Sequence, residues 1–332
     1  MRRREFIAGV AGAAAWPVVV GAQQSEMPVI GFLGMDESGS RRRQTSKAFE
    51  DRFREGLKAE GYIEGQNVKI DWRWANWQPA AVDAMVYELI RSQAKVIVSA
   101  GTPRAAVAAK RNTSTTPIVF VFGGDPIELG LVASLNQPGG NITGVIYTTR
   151  NLEGKRLELL AEAAPQAKTI AYFSGDPNVG GIQAELSEML AAARLVGKEM
   201  IVFEVRRDSD MDAAFSTLVE RGVGALAVGT GAILRGNLDR IVALAALHKI
   251  PAIYPFRVYA LGGGLISYGG RPLDAYQPAG VYVGRILKGE KPADLPVQRS
   301  TLFELVINLK AANALGLTMP ETLLAIADEV IQ

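Results

Sequence analysis

Two pairs of stretches decide the fold: VIVSAGTP (96–103) with PIVFVF (117–122), and ALAVGT (225–230) with PAIYPF (251–256). In each pair a β-branched apolar run ends in Gly-Thr, a helical segment follows, and a second apolar run opens on Pro. The spacing from Thr to Pro is 15 residues in the first pair and 21 in the second. Apolar strands that alternate with helices indicate a parallel sheet with crossover helices. The repeated order predicts two similar lobes, although generic α/β patterning alone can produce such a parallel.

The rest of the sequence alternates in the same way, so we predict an α/β fold with two Rossmann-like lobes. The predicted strands are 28–34, 67–74, 94–100, 117–122, 168–175, 199–205, 224–231 and 250–256. The predicted helices include 45–60, 79–92, 103–111 and 236–248. In the first of these helices Phe49, Phe53 and Leu57 recur every four residues, which places them on one buried face.

Composition narrows the possible functions. A chain of 332 residues is long enough for two domains, and it contains no Cys and a single His, His248. Disulfides, thiolate or multi-histidine metal sites and a cysteine nucleophile are therefore excluded, and we expect no cofactor and no metal. The net charge of +2 equals the contribution of residues 2–5, so the remainder is neutral and we expect no nucleic-acid binding. The basic cluster Arg41–Arg43 is interpreted as part of a solvated loop.

Residues 1–22 have the layout of an export signal. Arg2–Arg4 precede an apolar stretch over 7–20, and cleavage is expected before Gln23. The string RREFI (3–7) is similar to a twin-arginine signal, with an ordinary Sec signal as the alternative. The apolar stretch is too short to span a bilayer. We therefore expect a periplasmic protein.

Several long stretches carry a resemblance to a known family. The chain resembles, almost end to end, the substrate-binding proteins of bacterial ABC transporters with a type 1 periplasmic-binding-protein fold, the group with tryptophan- and tyrosine-binding members. The stretches are VIGFLG (29–34), GYIEGQNVKIDWRWA (61–75), VIVSAGTP (96–103), PIVFVFGGDPIELGLVASLNQPGGNITG (117–144), GKRLELL (154–160), PAIYPFR (251–257), GGLISYG (263–269), RILKGEKPADLPV (285–297) and FELVINLKAANALGLTMP (303–320).

The resemblance implies a Venus-flytrap protein whose two lobes are joined by hinge strands and close on a solute. On this basis lobe 1 is expected to contain 28–143 plus about 266–297, and lobe 2 to contain 144–265 plus about 298–332. The chain is then expected to cross between lobes near 141–145, near 263–269 and after Pro296. The implied partners are a small-molecule solute, an inner-membrane permease and its ATPase, and the protein is expected to be a monomer. We expect the solute to be a small amino acid or related organic anion.

Ligands of open α/β sheets bind outside the carboxyl ends of the strands, so the candidate site residues lie there. They are Met35, Ala100, Gly101, Thr102, Gly123 and Asp125 in the first half, and Ser174, Asp176, Thr230, Tyr254 and Tyr268 in the second. Thr102 opens a helix, where backbone N–H groups favour an anion. Asp125 either holds a substrate ammonium or caps the next helix, and Ser174 and Asp176 carry the same two alternatives. Tyr254 and Tyr268 offer amphipathic rings.

Other functions stay open on the residues alone. Asp125 and Asp176 could form the carboxylate pair of a hydrolase, which requires a spacing of about 5–9.5 Å. A sensory receptor of the same fold is a second alternative. GVGALA (222–227) fits a dinucleotide motif, but its glycines precede a strand instead of following one. His248 is expected to cap a helix, and Trp72 and Trp74 are expected to pack in the core or between lobes rather than form a ligand platform.

Overall fold

The computed structural model describes residues 27–35, 40–76, 78–147, 151–178 and 181–332. The predicted export signal, residues 36–39 and Trp77 lie outside the described residues. The strands are β1 (Val29–Gly34), β2 (Lys69–Trp74), β3 (Val96–Ala100), β4 (Ile118–Gly123), β5 (Ile142–Tyr147), β6 (Thr169–Ser174), β7 (Glu199–Glu204), β8 (Ala225–Val228), β9 (Ala252–Tyr254), β10 (Ile266–Gly270), β11 (Gln298–Ser300), β12 (Phe303–Asn308) and β13 (Glu329–Ile331).

These strands form two separate sheets, as the repeated sequence pattern predicts. The first has six strands in the order β11-β5-β4-β3-β1-β2, all of them parallel. The second has seven in the order β13-β12-β10-β9-β8-β6-β7. Only the pairing of β10 with β12 is antiparallel among the described strands. The predicted two-lobed α/β fold is thus confirmed.

Helices cover both faces of each sheet. They are α1 (Ser40–Ala59), α2 (Pro79–Arg91), α3 (Pro103–Asn112), α4 (Glu153–Ala163), α5 (Ile182–Leu195), α6 (Asp210–Glu220), α7 (Ala232–Gly236), α8 (Leu238–Leu247), α9 (Arg257–Leu261), α10 (Tyr276–Leu287), α11 (Leu309–Leu315) and α12 (Glu321–Ala325). Each sheet separates two apolar clusters, so each lobe is a three-layer α/β/α sandwich with a core on either face. No helix in the described ranges combines the length and apolar character that a membrane crossing needs.

The chain crosses between the lobes three times, a few residues later than predicted. The predicted boundary at 143/144 cuts through β5, which is buried along its whole length between β4 and β11. Residues 266–270, expected in lobe 1, form β10 of the second sheet, whereas 298–300, expected in lobe 2, form β11 of the first. The crossings therefore follow Tyr147, Gly270 and Ser300. Apolar runs identify strands, but the sheet that each strand joins depends on long-range pairing.

The structure of α1 contradicts one prediction and confirms another. The helix begins at Ser40, so Arg41–Arg43 lie in a helix and not in the predicted loop. Arg and Gln are good helix formers, and neither Pro nor Gly occurs between Gly39 and Gly56. Phe53 and Leu57 are fully buried and Phe49 partly buried in one cluster of the first lobe, as their spacing predicts.

Helices α1 and α10 pack at unusually short distance because glycines meet at their crossing. A Cβ atom at Gly56 would lie 2.0 Å from the carbonyl oxygen of Gln277, and one at Gly280 would lie 2.2 Å from that of Phe53. Both are far below van der Waals contact, so neither position can hold a side chain without separating the helices. This contact fixes the segment after β10 against the first lobe.

The predictions for Trp72, Trp74 and His248 are confirmed. Trp72 and Trp74 pack against the first-lobe cluster, with the Trp72 ring 4.5 Å from that of Phe32. His248 is the C-cap residue of α8, and its ring is stacked 6.1 Å from that of Phe215.

Candidate functional site

The three crossings between the lobes and one aromatic contact lie at the carboxyl edges of the two sheets. Each of the three crossings leaves the carboxyl end of a strand, β5, β10 or β11, so the chain passes directly from one carboxyl edge toward the other lobe. Phe256, which follows β9, packs against core clusters of both lobes. Its ring lies 6.5 Å from that of Tyr147, the last residue of β5, at an angle of 80°. The crevice expected between the sheets therefore lies beside this aromatic contact.

On the first lobe, three predicted residues form a tight turn between β3 and α3. Ala100 is buried at the end of β3, and the Gly101 N–H donates to the Val121 carbonyl at 2.8 Å. Gly101 has φ +87°, a conformation that glycine adopts without strain. A Cβ atom at Gly101 would lie 3.5 Å from that of Met35, so the end of β1 packs beside this turn.

Thr102 is the N-cap residue of α3. Its hydroxyl oxygen accepts from the Arg104 N–H at 3.4 Å. A hydroxyl that accepts this bond keeps its own proton, so Thr102 can still donate to a ligand. Thr102 also lines a cavity of about 440 Å³ that continues along α3 past Arg104 and Arg111. Asp83 lines the same cavity and pairs with Arg104 at 2.7 Å. The local field at this helix end therefore favours an anion.

The two aspartates of the candidate site accept hydrogen bonds within local turns. Gly123 ends β4, and the Asp125 Oδ1 atom accepts from the backbone N–H groups of Ile127 at 2.8 Å and Glu128 at 3.4 Å. On the second lobe, the Asp176 Oδ1 atom accepts from the backbone and side-chain nitrogens of Asn178 at 3.0 and 2.9 Å. Within the described residues neither aspartate caps a helix: a turn follows Asp125, and the N-cap residue of α5 is Gly181. The helix-cap alternative is therefore wrong for both, and a role in holding a substrate ammonium stays a prediction.

The remaining predicted residues of the second lobe differ in exposure. The Ser174 hydroxyl is buried and donates to the Gly175 carbonyl at 3.2 Å. Tyr254, expected at the crevice, is instead 1% exposed in the core and stacks on Tyr259 with ring centroids 4.8 Å apart. Its ring fits there because Gly264 has no side chain: a Cβ atom at Gly264 would lie 2.5 Å from that ring.

Tyr268 likewise packs against the core more than it extends toward the crevice. It is partly buried against the second-lobe core, with its ring 6.4 Å from that of Phe303. Its backbone carbonyl accepts from the Arg156 Nε atom at 3.0 Å. This bond connects β10 to a charged group that sequence reasoning missed.

That group, which we call the buried charged cluster, consists of Glu153 and Arg156 on α4 and Glu185 on α5. They are 0%, 1% and 4% exposed. The Arg156 Nη1 atom lies 3.3 Å from Glu153 Oε1 and 3.8 Å from Glu185 Oε1. One cation therefore stands between two carboxyl groups in a region without water access, where unpaired charge is costly.

Glu185 connects the cluster to Thr230, a predicted site residue in the loop after β8. Its Oε1 atom accepts from the Thr230 backbone N–H at 2.9 Å, and its Oε2 atom accepts from the Thr230 hydroxyl at 2.6 Å. A Cβ atom at Gly229 would lie 2.6 Å from the Tyr172 hydroxyl and 3.1 Å from Glu185 Oε1, so only glycine fits beside this contact. Burial and the nearby Glu185 charge raise the pKa of Tyr172 well above its ordinary value.

The sequence held one signal for this cluster. On α4 the buried residues include Glu153, Arg156, Leu157 and Leu160, the i, i+3, i+4, i+7 spacing of a core-facing stripe. Two charged residues therefore occupy positions where apolar ones are usual. Charged residues at core positions are rarely buried unless they are paired.

Burial raises the pKa of Glu153 to about 8, against the opposing effect of Arg156. Between its ordinary value of 4.5 and about 8, the native state holds a proton that the unfolded chain has released. The free energy of unfolding must therefore fall as pH rises through this window. We expect Glu153→Gln, which is neutral at every pH, to become more stable relative to the wild type by about 1–3 kcal/mol between pH 5 and pH 8.

Urea unfolding at several pH values between 5 and 8.5 measures this difference. The matched control is Glu158→Gln on the same helix, where the side chain is 60% exposed and forms an ion pair with Lys155 at 3.3 Å. Its stability should run parallel to the wild type. A Glu153→Gln curve that also runs parallel would contradict the assignment of this proton to Glu153.

Comparison with known proteins agrees with the fold and identifies the family. The sequence profile of the family described as ABC transporter substrate binding protein matches residues 44–331, and the chain belongs to that family. It is 28% identical over 270 residues to a protein named tyrosine-binding protein from Clostridioides difficile (strain R20291). The matched stretch covers 80% of this chain and 75% of that protein. The family confirms the resemblance found in the sequence.

Two solved structures are similar over nearly their whole length. One is an ABC domain in complex with L-Trp from Streptococcus pneumonia, with a TM-score of 0.80, 27% identity and coverage of 92% of this chain and 99% of that chain. The other is a conserved domain protein from Vibrio cholerae, with a TM-score of 0.81, 26% identity and coverage of 92% and 100%. This chain is therefore a substrate-binding protein of an ABC transporter.

Proposed function

We propose that the protein is a periplasmic receptor that binds a small amino acid or related organic anion between its lobes and delivers it to an inner-membrane permease with its ATPase. One observation carries the proposal: two carboxyl sheet edges, each with a Gly-Thr turn, are joined by three chain crossings. A solute that contacts both edges stabilises the closed arrangement of the lobes. The protein acts as a monomer, without catalysis or cofactor.

The amino-acid ligand is supported by the relatives. One is named for tyrosine binding and another was solved with L-Trp, each at more than a quarter sequence identity. The periplasmic location is supported by the layout of residues 1–22, with export through the twin-arginine or Sec route. Replacement of Arg3 and Arg4 by Lys distinguishes the routes, because it blocks export only if the twin-arginine route is used.

A thermal-melt panel tests the proposed function. The protein beginning at Gln23 is heated with each of the twenty L-amino acids, with small carboxylates and with nucleosides. A ligand present at 100 times its Kd stabilises the native state by about 2.7 kcal/mol, which raises the melting temperature by several degrees. At least one amino acid or carboxylate should do so. A shift with nucleosides alone, or with nothing in the panel, would overturn the proposal.

Thr102→Val tests the anion subsite on the first lobe. It keeps the shape of the side chain and removes the hydroxyl, which should weaken binding of the strongest ligand in the panel by roughly 10- to 150-fold if that hydroxyl donates to a ligand carboxylate. If Thr102 only caps α3, stability falls by about 1 kcal/mol and affinity is unchanged. Calorimetric titration and thermal melts of the same variant separate the two results.

The matched control lies at the other end of the same helix. Thr113, the C-cap residue of α3, accepts from the backbone N–H groups of Thr115 at 3.3 Å and Thr116 at 3.0 Å. Thr113→Val therefore removes a comparable hydroxyl far from the carboxyl edge of the sheet. It should change stability without changing affinity.

A further inference from the structure

The hydrogen bonds of Thr230 fix the direction in which its hydroxyl can interact further. A carboxylate has no proton to donate, so both bonds to Glu185 run from Thr230: its N–H to Oε1 at 2.9 Å and its hydroxyl to Oε2 at 2.6 Å. A threonine hydroxyl has a single proton, and here it is engaged. Toward any other group Thr230 can only accept a hydrogen bond.

The partner that imposes this direction is firmly held. Glu185 lies in the first turn of α5 and is 4% exposed, and Arg156 lies 3.8 Å away. Thr230 itself is only partly buried and follows the carboxyl end of β8, the edge that faces the crevice. The charged Glu185 side chain thus lies directly behind Thr230, a partly exposed residue whose hydroxyl oxygen is the acceptor. Both the acceptor and the negative charge favour a cationic hydrogen-bond donor in front of Thr230.

Accordingly, we propose that Thr230 is the subsite on the second lobe for the ammonium group of the ligand, and that Glu185 is a positioning residue that sets this preference. The inference rests on the proposed function, which it deepens: among amino acids and related anions it selects ligands with a free amino group. Glu185 acts through Thr230 and need not touch the ligand.

Glu185→Gln tests the proposal because it reverses the hydrogen bond. The glutamine oxygen can still accept from the Thr230 N–H, but its amide group now donates to the Thr230 hydroxyl. The hydroxyl proton is then directed outward, toward the crevice, and repels an ammonium group. The probes are the amino acid that binds the wild type most tightly in the twenty-member panel and its desamino acid, for example L-tryptophan with indole-3-propionate, or L-leucine with 4-methylpentanoate.

The measured quantity is the ratio of the two Kd values. In the wild type the amino acid should bind about 10- to 100-fold more tightly than its desamino acid, and in Glu185→Gln this preference should fall by about that factor. A role in stability alone would weaken both ligands equally and leave the ratio unchanged, which would overturn the proposal. Equal binding of both ligands by the wild type would overturn it as well, while the proposed function would stand.

The matched control is Glu199→Gln. Glu199 also accepts from a threonine hydroxyl, that of Thr169, at 3.1 Å, but the pair is exposed at the opposite edge of the same sheet. The ratio of the two Kd values in Glu199→Gln should equal that in the wild type.

If Glu185→Gln fails to fold, Thr230→Val removes the acceptor while Glu185 stays in place, and Thr230→Ser restores it. Thr230→Val should lose the preference and Thr230→Ser should keep it. If the wild type binds carboxylates but no amino acid, this proposal is overturned and the proposed function stands. If it binds nothing in the panel, or nucleosides alone, both are overturned.

Discussion

Replacement of Arg156 by methionine should lower the free energy of unfolding by about 3–5 kcal/mol, the usual cost of removing one partner from a buried ion pair. Methionine has nearly the length of the arginine stem, so the main loss is the charge. Glu153 and Glu185 would then face each other without a cation in a region that is at most 4% exposed. The bond from the Arg156 Nε atom to the Tyr268 carbonyl is lost as well.

Urea unfolding measures this effect against two further variants. Arg240→Met removes an arginine that pairs with Asp212 at the surface, where it is 39% exposed, and should cost less than about 1 kcal/mol. In the triple variant Arg156→Met, Glu153→Gln, Glu185→Gln no charge remains in the buried charged cluster, so part of the lost stability should return. If Arg156→Met costs no more than Arg240→Met, the cluster does not hold α4 and α5 as described.

The second large effect is expected at the crossing of α1 and α10. In Gly280→Ala the new methyl group would lie 2.2 Å from the Phe53 carbonyl oxygen, so the two helix backbones must separate. Overpacking of this kind costs about 1–3 kcal/mol and occasionally more. The cost must exceed the gain of up to about 1 kcal/mol that alanine brings to a helix. We expect a net loss of about 1–2 kcal/mol.

Gly154→Ala is the matched control. Gly154 also lies in a helix, α4, but no atom outside its immediate helical surroundings lies within 4 Å of the position of its Cβ atom. The same substitution should therefore raise stability there by up to about 1 kcal/mol. Chemical denaturation of the two variants side by side should give effects of opposite sign. A stabilising Gly280→Ala would show that the helices do not approach as closely as the structure has them.

Local sequence pattern predicts the strands and the turns that follow them because both depend on neighbouring residues. The Gly-Thr turns at Thr102 and Thr230 lie at strand ends, as their repeated context predicts. Sheet membership is different. The run that forms β10 is apolar, but its place in the second sheet depends on pairing with β12, about forty residues later in the chain.

The candidate site shows the same division between local and distant causes. The hydrogen bonds that Asp125 and Asp176 accept join residues two or three positions apart, but they close turns and not the helix caps that the sequence offered as an alternative. Tyr254 was expected at the crevice because it ends a strand, but Gly264 on another segment makes room for its ring in the core. The contact of Glu185 with Thr230 spans 45 residues and leaves no local signal.

The crystal structure of the protein with the amino acid that raises its melting temperature most would test the central claim, that one solute is held between two facing carboxyl edges. The account predicts that the amino acid contacts both lobes at once, with its carboxylate at the Thr102 hydroxyl and its ammonium group at that of Thr230. A ligand that contacts only one lobe, or that lies outside the crevice beside Phe256 and Tyr147, would contradict it.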